Sequence, residues 1–98
     1  AGIAATTVVQ VEATATEGLD TLRGFLGDKA AVLFAPRGSG WELTLYWHGE
    51  RTTFEAGEAH RILAEGLAAS NIGARTEPYT RPATLEEAYL AMAEGLKR

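Results

Sequence analysis

Residues 41–47 read Trp-Glu-Leu-Thr-Leu-Tyr-Trp, a strict alternation that few folds accommodate. With a period of two, Trp41, Leu43, Leu45 and Trp47 fall on one face of a strand, and Glu42, Thr44 and Tyr46 on the other. A strand that is apolar on one side only belongs in an antiparallel sheet with one covered face. Just ahead, Pro36-Arg37-Gly38-Ser39-Gly40 is a turn by composition, and Ala30 to Ala35 is a short apolar run. Together they predict a hairpin closed across the glycine-rich turn.

The period changes on either side of this hairpin. Thr6 to Ala13 is β-branched and alternating, with Val9, Val11 and Ala13 on one face, and predicts a first strand. Thr14 to Leu26 then repeats at helical spacing through Leu19, Leu22, Phe25 and Leu26. Thr14 and Glu17 have the spacing of a capping box, and Gly27 is the expected left-handed stop. After the hairpin, His48-Gly49-Glu50 is a second turn, and Arg51 to Glu55 reads as a short returning edge strand anchored by Phe54.

Ala56 to Ser70 predicts a second helix with Ala59, Ile62, Leu63 and Leu67 inward. Asn71 suits a left-handed cap, with Ile72 as the apolar contact that accompanies it. Ala74 to Thr80 is a last strand, and Pro78 within it demands an edge position because proline cannot donate to a ladder. Beyond Pro82, Thr84 and Glu87 form a second capping box, and Leu85, Ala88, Tyr89, Met92, Ala93 and Leu96 make one apolar stripe of a terminal helix.

The order strand, helix, strand, strand, helix, strand, helix predicts an α+β fold. It is a ferredoxin-like βαββαβ antiparallel sheet, with both crossover helices on one face and a C-terminal helix appended. The other sheet face stays open unless that terminal helix or a partner covers it. At 98 residues the chain is expected to be one domain, 1–98, with a small core.

A net charge of −4 argues against non-specific nucleic-acid binding and against attraction to an anionic membrane. No apolar run approaches the roughly 18 residues of a membrane span, so direct membrane insertion is not expected. No basic stretch followed by an apolar one opens the chain, so no signal peptide is expected. The chain contains no cysteine, which removes disulfides, thiolate metal sites and cysteine nucleophiles together.

The residues that invite a chemical reading each have a plainer one. Arg37-Gly38-Ser39-Gly40 joins two strands, whereas a phosphate cradle needs a helix N-terminus behind its glycines. His48 and His60, the only histidines, lack metal-ligand spacing and read as surface residues. Glu55, Glu58 and Glu65 suit a solvated helix face, and Glu86 and Glu87 suit the first turn of a helix, where negative charge is favoured. The strand aromatics evoke an RNA-recognition sheet, but that module's basic and glycine-aromatic signatures are missing. Trp41 and Trp47 therefore read as core and rim packing. Thr44 and Tyr46, on the opposite face, are the candidates for contacting a partner. No catalytic residue, cofactor site or metal site is expected.

The terminal pattern carries a resemblance. Pro82-Ala83-Thr84-Leu85-Glu86-Glu87-Ala88-Tyr89-Leu90-Ala91-Met92 resembles the Pro-x-Leu-Glu-x-Val-Phe-Leu-x-Leu-Thr ending of many ABC transporter ATP-binding subunits, of the drug-resistance and ABC-2 export type. Leu85, Glu86 and Leu90 fit directly. Ala88 and Tyr89 replace the usual Val-Phe pair, an extra residue follows Pro82, and Met92-Ala93-Glu94-Gly95 replaces the closing Leu-Thr-Gly. Upstream, Leu63 to Ile72 is similar to the last helix of the small C-terminal domain that follows the ATPase in those subunits.

The resemblance implies an accessory domain and not the motor, because the chain lacks the Gly-x-x-x-x-Gly-Lys-Ser/Thr loop, the signature loop and a Walker B aspartate. The implied partners are an upstream ATPase domain, the membrane subunit of a transporter or a second copy of the chain. The implied location is the cytoplasm, held at the inner membrane through a transporter complex. Leu85, Glu86, Tyr89, Leu90 and Met92 join Thr44 and Tyr46 as partner-binding candidates. A stand-alone small-molecule-sensing module of the same fold is the alternative, and an enzyme of unknown type the third.

Overall fold

The computed structural model describes residues 2–50, 52–84 and 86. In chain order the elements are β1 (Ile3–Val11), a 3-10 helix (Ala13–Gly18), α1 (Leu19–Leu26), β2 (Ala30–Arg37), β3 (Gly40–His48), α2 (Ala56–Ala69) and β4 (Tyr79–Pro82). The fold is α+β. All strand pairs are antiparallel, and the sheet order is β2-β3-β1-β4.

The alternation of residues 41–47 sets the inner face. Leu43, Leu45 and Trp47 are buried, with Trp41 half-buried at the rim, and Thr7, Val9 and Val11 of β1 stand opposite them in register. One buried cluster joins Leu43, Leu45, Val9 and Val11 to Leu19, Leu22 and Leu26 of α1 and to Ala59, Leu63 and Leu67 of α2. Fully burying a leucine contributes about 1.5–3 kcal/mol, so this cluster supplies the main driving force for the fold.

β1 starts earlier than the sequence suggests. Ala4 and Ala5 are weak strand formers by composition, yet Ile3 and Ala5 pair with His48 and Trp47, and Ala5 also with Pro82. Ala13, expected at the strand's end, instead opens the 3-10 helix. The expected Thr14–Glu17 capping box does not start α1. That helix begins at Leu19 behind Gly18, which makes no side-chain cap bond. A Cβ on Gly18 would lie 2.4 Å from the Ser70 carbonyl oxygen, so close approach to the end of α2 sets the helix start. Gly27 does stop α1, with φ +55 and its N–H donated to the Arg23 carbonyl at 2.9 Å.

The hairpin is longer and its turn tighter than composition indicates. Pro36 and Arg37 are strand residues, paired with Trp41 and Gly40, and only Gly38 and Ser39 remain as the turn. Pro36 is tolerated because β2 is an edge strand, where a missing N–H costs no ladder bond. The strand expected over Arg51 to Glu55 is not present among the described residues, which exclude Arg51. Thr52 and Thr53 form a turn, and the Thr53 N–H donates to the Glu50 carbonyl at 3.3 Å, inside the turn and not across a ladder. Phe54 is still an anchor, half-buried with its ring 6.3 Å from that of Trp47.

α2 follows its sequence pattern, with Ile62 half-buried and Gly66 added to the buried side. It ends as expected. Asn71 has φ +55, its N–H donates to Ala68 O at 3.2 Å, and the Ile72 N–H donates to Leu67 O at 2.9 Å. These two bonds are those of a Schellman cap, and Ile72 is buried against the core as its apolar contact. The last strand is shorter than Ala74 to Thr80 and shifted toward the C-terminus. Ala74 makes an isolated bridge to Val11, Arg75 N–H donates to Gln10 O at 2.7 Å, and β4 resumes only at Tyr79. Across the gap the Gln10 N–H turns to Thr76 Oγ1 at 3.1 Å. Pro78 explains the break, and β4 lies at the sheet edge as its proline requires. The terminal helix expected from Thr84 onward lies outside the described residues, apart from Thr84 and Glu86.

Candidate functional site

The outer sheet face is built by the residues that the inner face leaves over. Register places Ala31, Tyr46, Thr6 and Arg81 in one row across the four strands. The next row is Leu33, Thr44, Val8 and Tyr79. Ala35, Glu42 and Gln10 follow in a third row. With strands about 4.8 Å apart, the second row spans about 14 Å.

Burial is uneven over this face. Thr6 is fully buried, while Val8, Thr44 and Tyr46 are half-buried. Leu33 and Tyr79, at the two ends of the second row, are 57% and 65% exposed. They are two of the three large apolar side chains exposed among the described residues, Phe25 of α1 being the third. The second row is thus a largely apolar strip whose hydroxyls are those of Thr44 and Tyr79, rimmed by Glu42 and Arg81. A face of this kind attracts an apolar surface and gains little from a small polar ligand.

Thr44 and Tyr46, the sheet residues expected to contact a partner, both stand on this face and occupy adjacent rows. Glu86 is described and exposed. Leu85, Tyr89, Leu90 and Met92 lie outside the described residues. Leu33, Val8 and Tyr79 were not anticipated. The signal for Leu33 was available, since counting back from the Gly38–Ser39 turn sets it opposite Thr44. Tyr79 carried no such signal, because the break near Pro78 resets the alternation.

The edge of β2 beside this face is partly guarded. Arg23 of α1 donates to the Val32 carbonyl at 3.2 Å and lies 5.4 Å above the Phe34 ring, which meets Trp41 edge-on at 5.3 Å. A side chain occupying an edge carbonyl discourages pairing by a further strand. On the outer face the large apolar residues exposed among those described are Leu33 and Tyr79.

Elsewhere the polar groups are absorbed by structure. Arg61 pairs with Glu65 at 3.1 Å and Glu58 at 3.7 Å along the exposed side of α2. Arg75 donates to Ser39 Oγ at 2.9 Å and braces the hairpin turn. Among the described residues no three histidine, aspartate or glutamate side chains converge as metal ligands. No described helix is long and apolar enough to cross a membrane. An open groove of about 560 Å³ runs between α2 and residues 72–78, floored by Leu67 and Ile72. In comparison with known proteins, the sequence matches no family model and no curated protein.

Proposed function

We propose that this chain is a non-catalytic accessory domain of an ABC transporter ATP-binding subunit, ferredoxin-like in topology, that works through protein–protein contacts. The observation that carries the contact reading is the apolar row Leu33–Thr44–Val8–Tyr79 on the outer sheet face, exposed at both ends. Its chemistry suits a protein surface, where apolar area leaving water supplies about 25 cal/mol per Å². The sheet order β2-β3-β1-β4 with two helices supports the ferredoxin-like arrangement. The transporter reading rests on the resemblance of Pro82 to Met92, and of Leu63 to Ile72, to the closing segment of such subunits.

In this role the outer face and the residues after Pro82 meet the ATPase domain, the membrane subunit or a second copy. The domain couples or braces the motor without touching nucleotide. The test is the parent reading frame. A nucleotide-binding domain with a Gly-x-x-x-x-Gly-Lys-Ser/Thr loop encoded in frame ahead of residue 1 is the expected result. A parent gene with no such domain overturns the transporter reading and leaves the contact reading to be judged by binding.

A further inference from the structure

We propose that Trp47 fixes the direction of a buried hydroxyl chain ending on His60, and that this makes His60 a proton-sensitive latch between α2 and the edge strand β4. The inference stands apart from the transporter reading. Trp47 Nε1–H donates to Thr7 Oγ1 at 2.7 Å, Thr7 Oγ1 is 2.7 Å from Thr80 Oγ1, and Thr80 Oγ1 is 2.5 Å from His60 Nε2. An indole N–H only donates, so one lone pair of Thr7 is committed to Trp47. The Thr7 proton then goes to Thr80, and the Thr80 proton goes to His60 Nε2. Every group in the chain is satisfied when Nε2 accepts, which requires a neutral ring carrying its proton on Nδ1.

A protonated ring reverses the last two links. Nε2–H donates to Thr80, the Thr80 proton turns back to Thr7, and Thr7 accepts twice while its own proton loses its acceptor. Thr7 is fully buried, so water does not replace that acceptor. A buried donor left unsatisfied is costly, whereas the half-buried imidazole itself is reachable by solvent protons.

The surroundings add few charges. On α2, Glu58 and Arg61 flank His60 and are ion-paired with each other. Glu77, in the segment leading to β4, lines the same groove as Ala64, one turn along the helix from His60. On β4, Thr80 and Pro82 share the inner face while Tyr79 and Arg81 share the outer one. β1 and β3 present Ala5, Thr7, Val9, Leu45 and Trp47, none of which titrates.

The latch matters because β4 is short. Its four residues pair with β1 alone, and the strand delivers the chain to Ala83 and Thr84. On acidification the buried Thr7 hydroxyl loses its Thr80 acceptor across the β1–β4 pair, which loosens this strand while the β2–β3 hairpin is unaffected.

The experiment is NMR on the full chain. At about pH 8 the ring nitrogens of His60 are expected to show the Nδ1–H tautomer. Between about pH 8 and pH 5.5, β4 amide protection relative to β3 should fall about tenfold after correction for intrinsic exchange. In His60→Gln, whose carbonyl accepts but takes up no proton, the β4-to-β3 ratio should stay flat. An Nε2–H tautomer at pH 8, or the same β4 loss in His60→Gln, overturns the proposal. If His60→Gln does not fold, the tautomer and the β4-to-β3 ratio of the unmodified chain decide it.

Discussion

Trp47 and Thr7 meet in the core, with the indole N–H of β3 donating to the threonine hydroxyl of β1 at 2.7 Å. Both residues belong to the apolar inner face, and Thr7 is fully buried there. The bond lets a tryptophan fill the core without leaving its one donor unpaired.

Thr7→Val keeps the shape of this site and removes the acceptor. It should destabilise the chain by about 1–3 kcal/mol, because the Trp47 N–H is left buried and unsatisfied. Trp47→Phe together with Thr7→Val should cost less than the sum of the two single changes, since the coupled pair is then removed whole. Urea midpoints of the four chains measure this coupling. Strict additivity would argue against the bond.

Gly18→Ala tests what starts α1. The new Cβ would lie 2.4 Å from the Ser70 carbonyl oxygen, which is backbone at the end of α2 and cannot swing aside. A loss of about 1–3 kcal/mol is expected from the overpacking, and alanine is in addition a poorer N-cap than glycine. Thermal unfolding measures it, and a gain in stability would mean that the two helix ends do not meet this closely.

This helix start shows where sequence reasoning reached its limit. The period of Trp41 to Trp47, the stripe of α2 and the Asn71–Ile72 cap are local patterns, and the structure realises all three. The start of α1 depends on a contact between Gly18 and Ser70, residues far apart in sequence, and the local Thr14–Glu17 pattern pointed elsewhere. The first strand extends beyond its sequence pattern because Ala4 and Ala5 are poor strand formers held extended by pairing with β3 and β4. On the outer face, Thr44 and Tyr46 were legible from strict alternation. Tyr79 was not, because the break before β4 erased the register that would have placed it there.

Asn71 holds a left-handed conformation at φ +55. Asn71→Gly should leave stability nearly unchanged, while Asn71→Ala should lose about 1 kcal/mol, because a Cβ without a compensating polar side chain is disfavoured there. Equal midpoints for the two variants would show that the cap does not constrain the chain end of α2.

Leu33→Asp and Tyr79→Asp place charge at the two exposed ends of the outer row. Each should change folding stability by no more than about 0.5 kcal/mol, since neither side chain is packed in the core. Both should weaken association with any protein that the face receives. Loss of folding without loss of binding would reverse the roles assigned to the two faces of the sheet.

The most direct test is an NMR titration of the isotope-labelled chain with the nucleotide-binding domain expected ahead of it in the parent gene. Saturable shifts should concentrate on Val8, Leu33, Thr44, Tyr46 and Tyr79, and Leu33→Asp should abolish them. Absence of binding, or shifts confined to α1 and α2 with the outer face silent, would contradict the assignment of this sheet face as the docking surface.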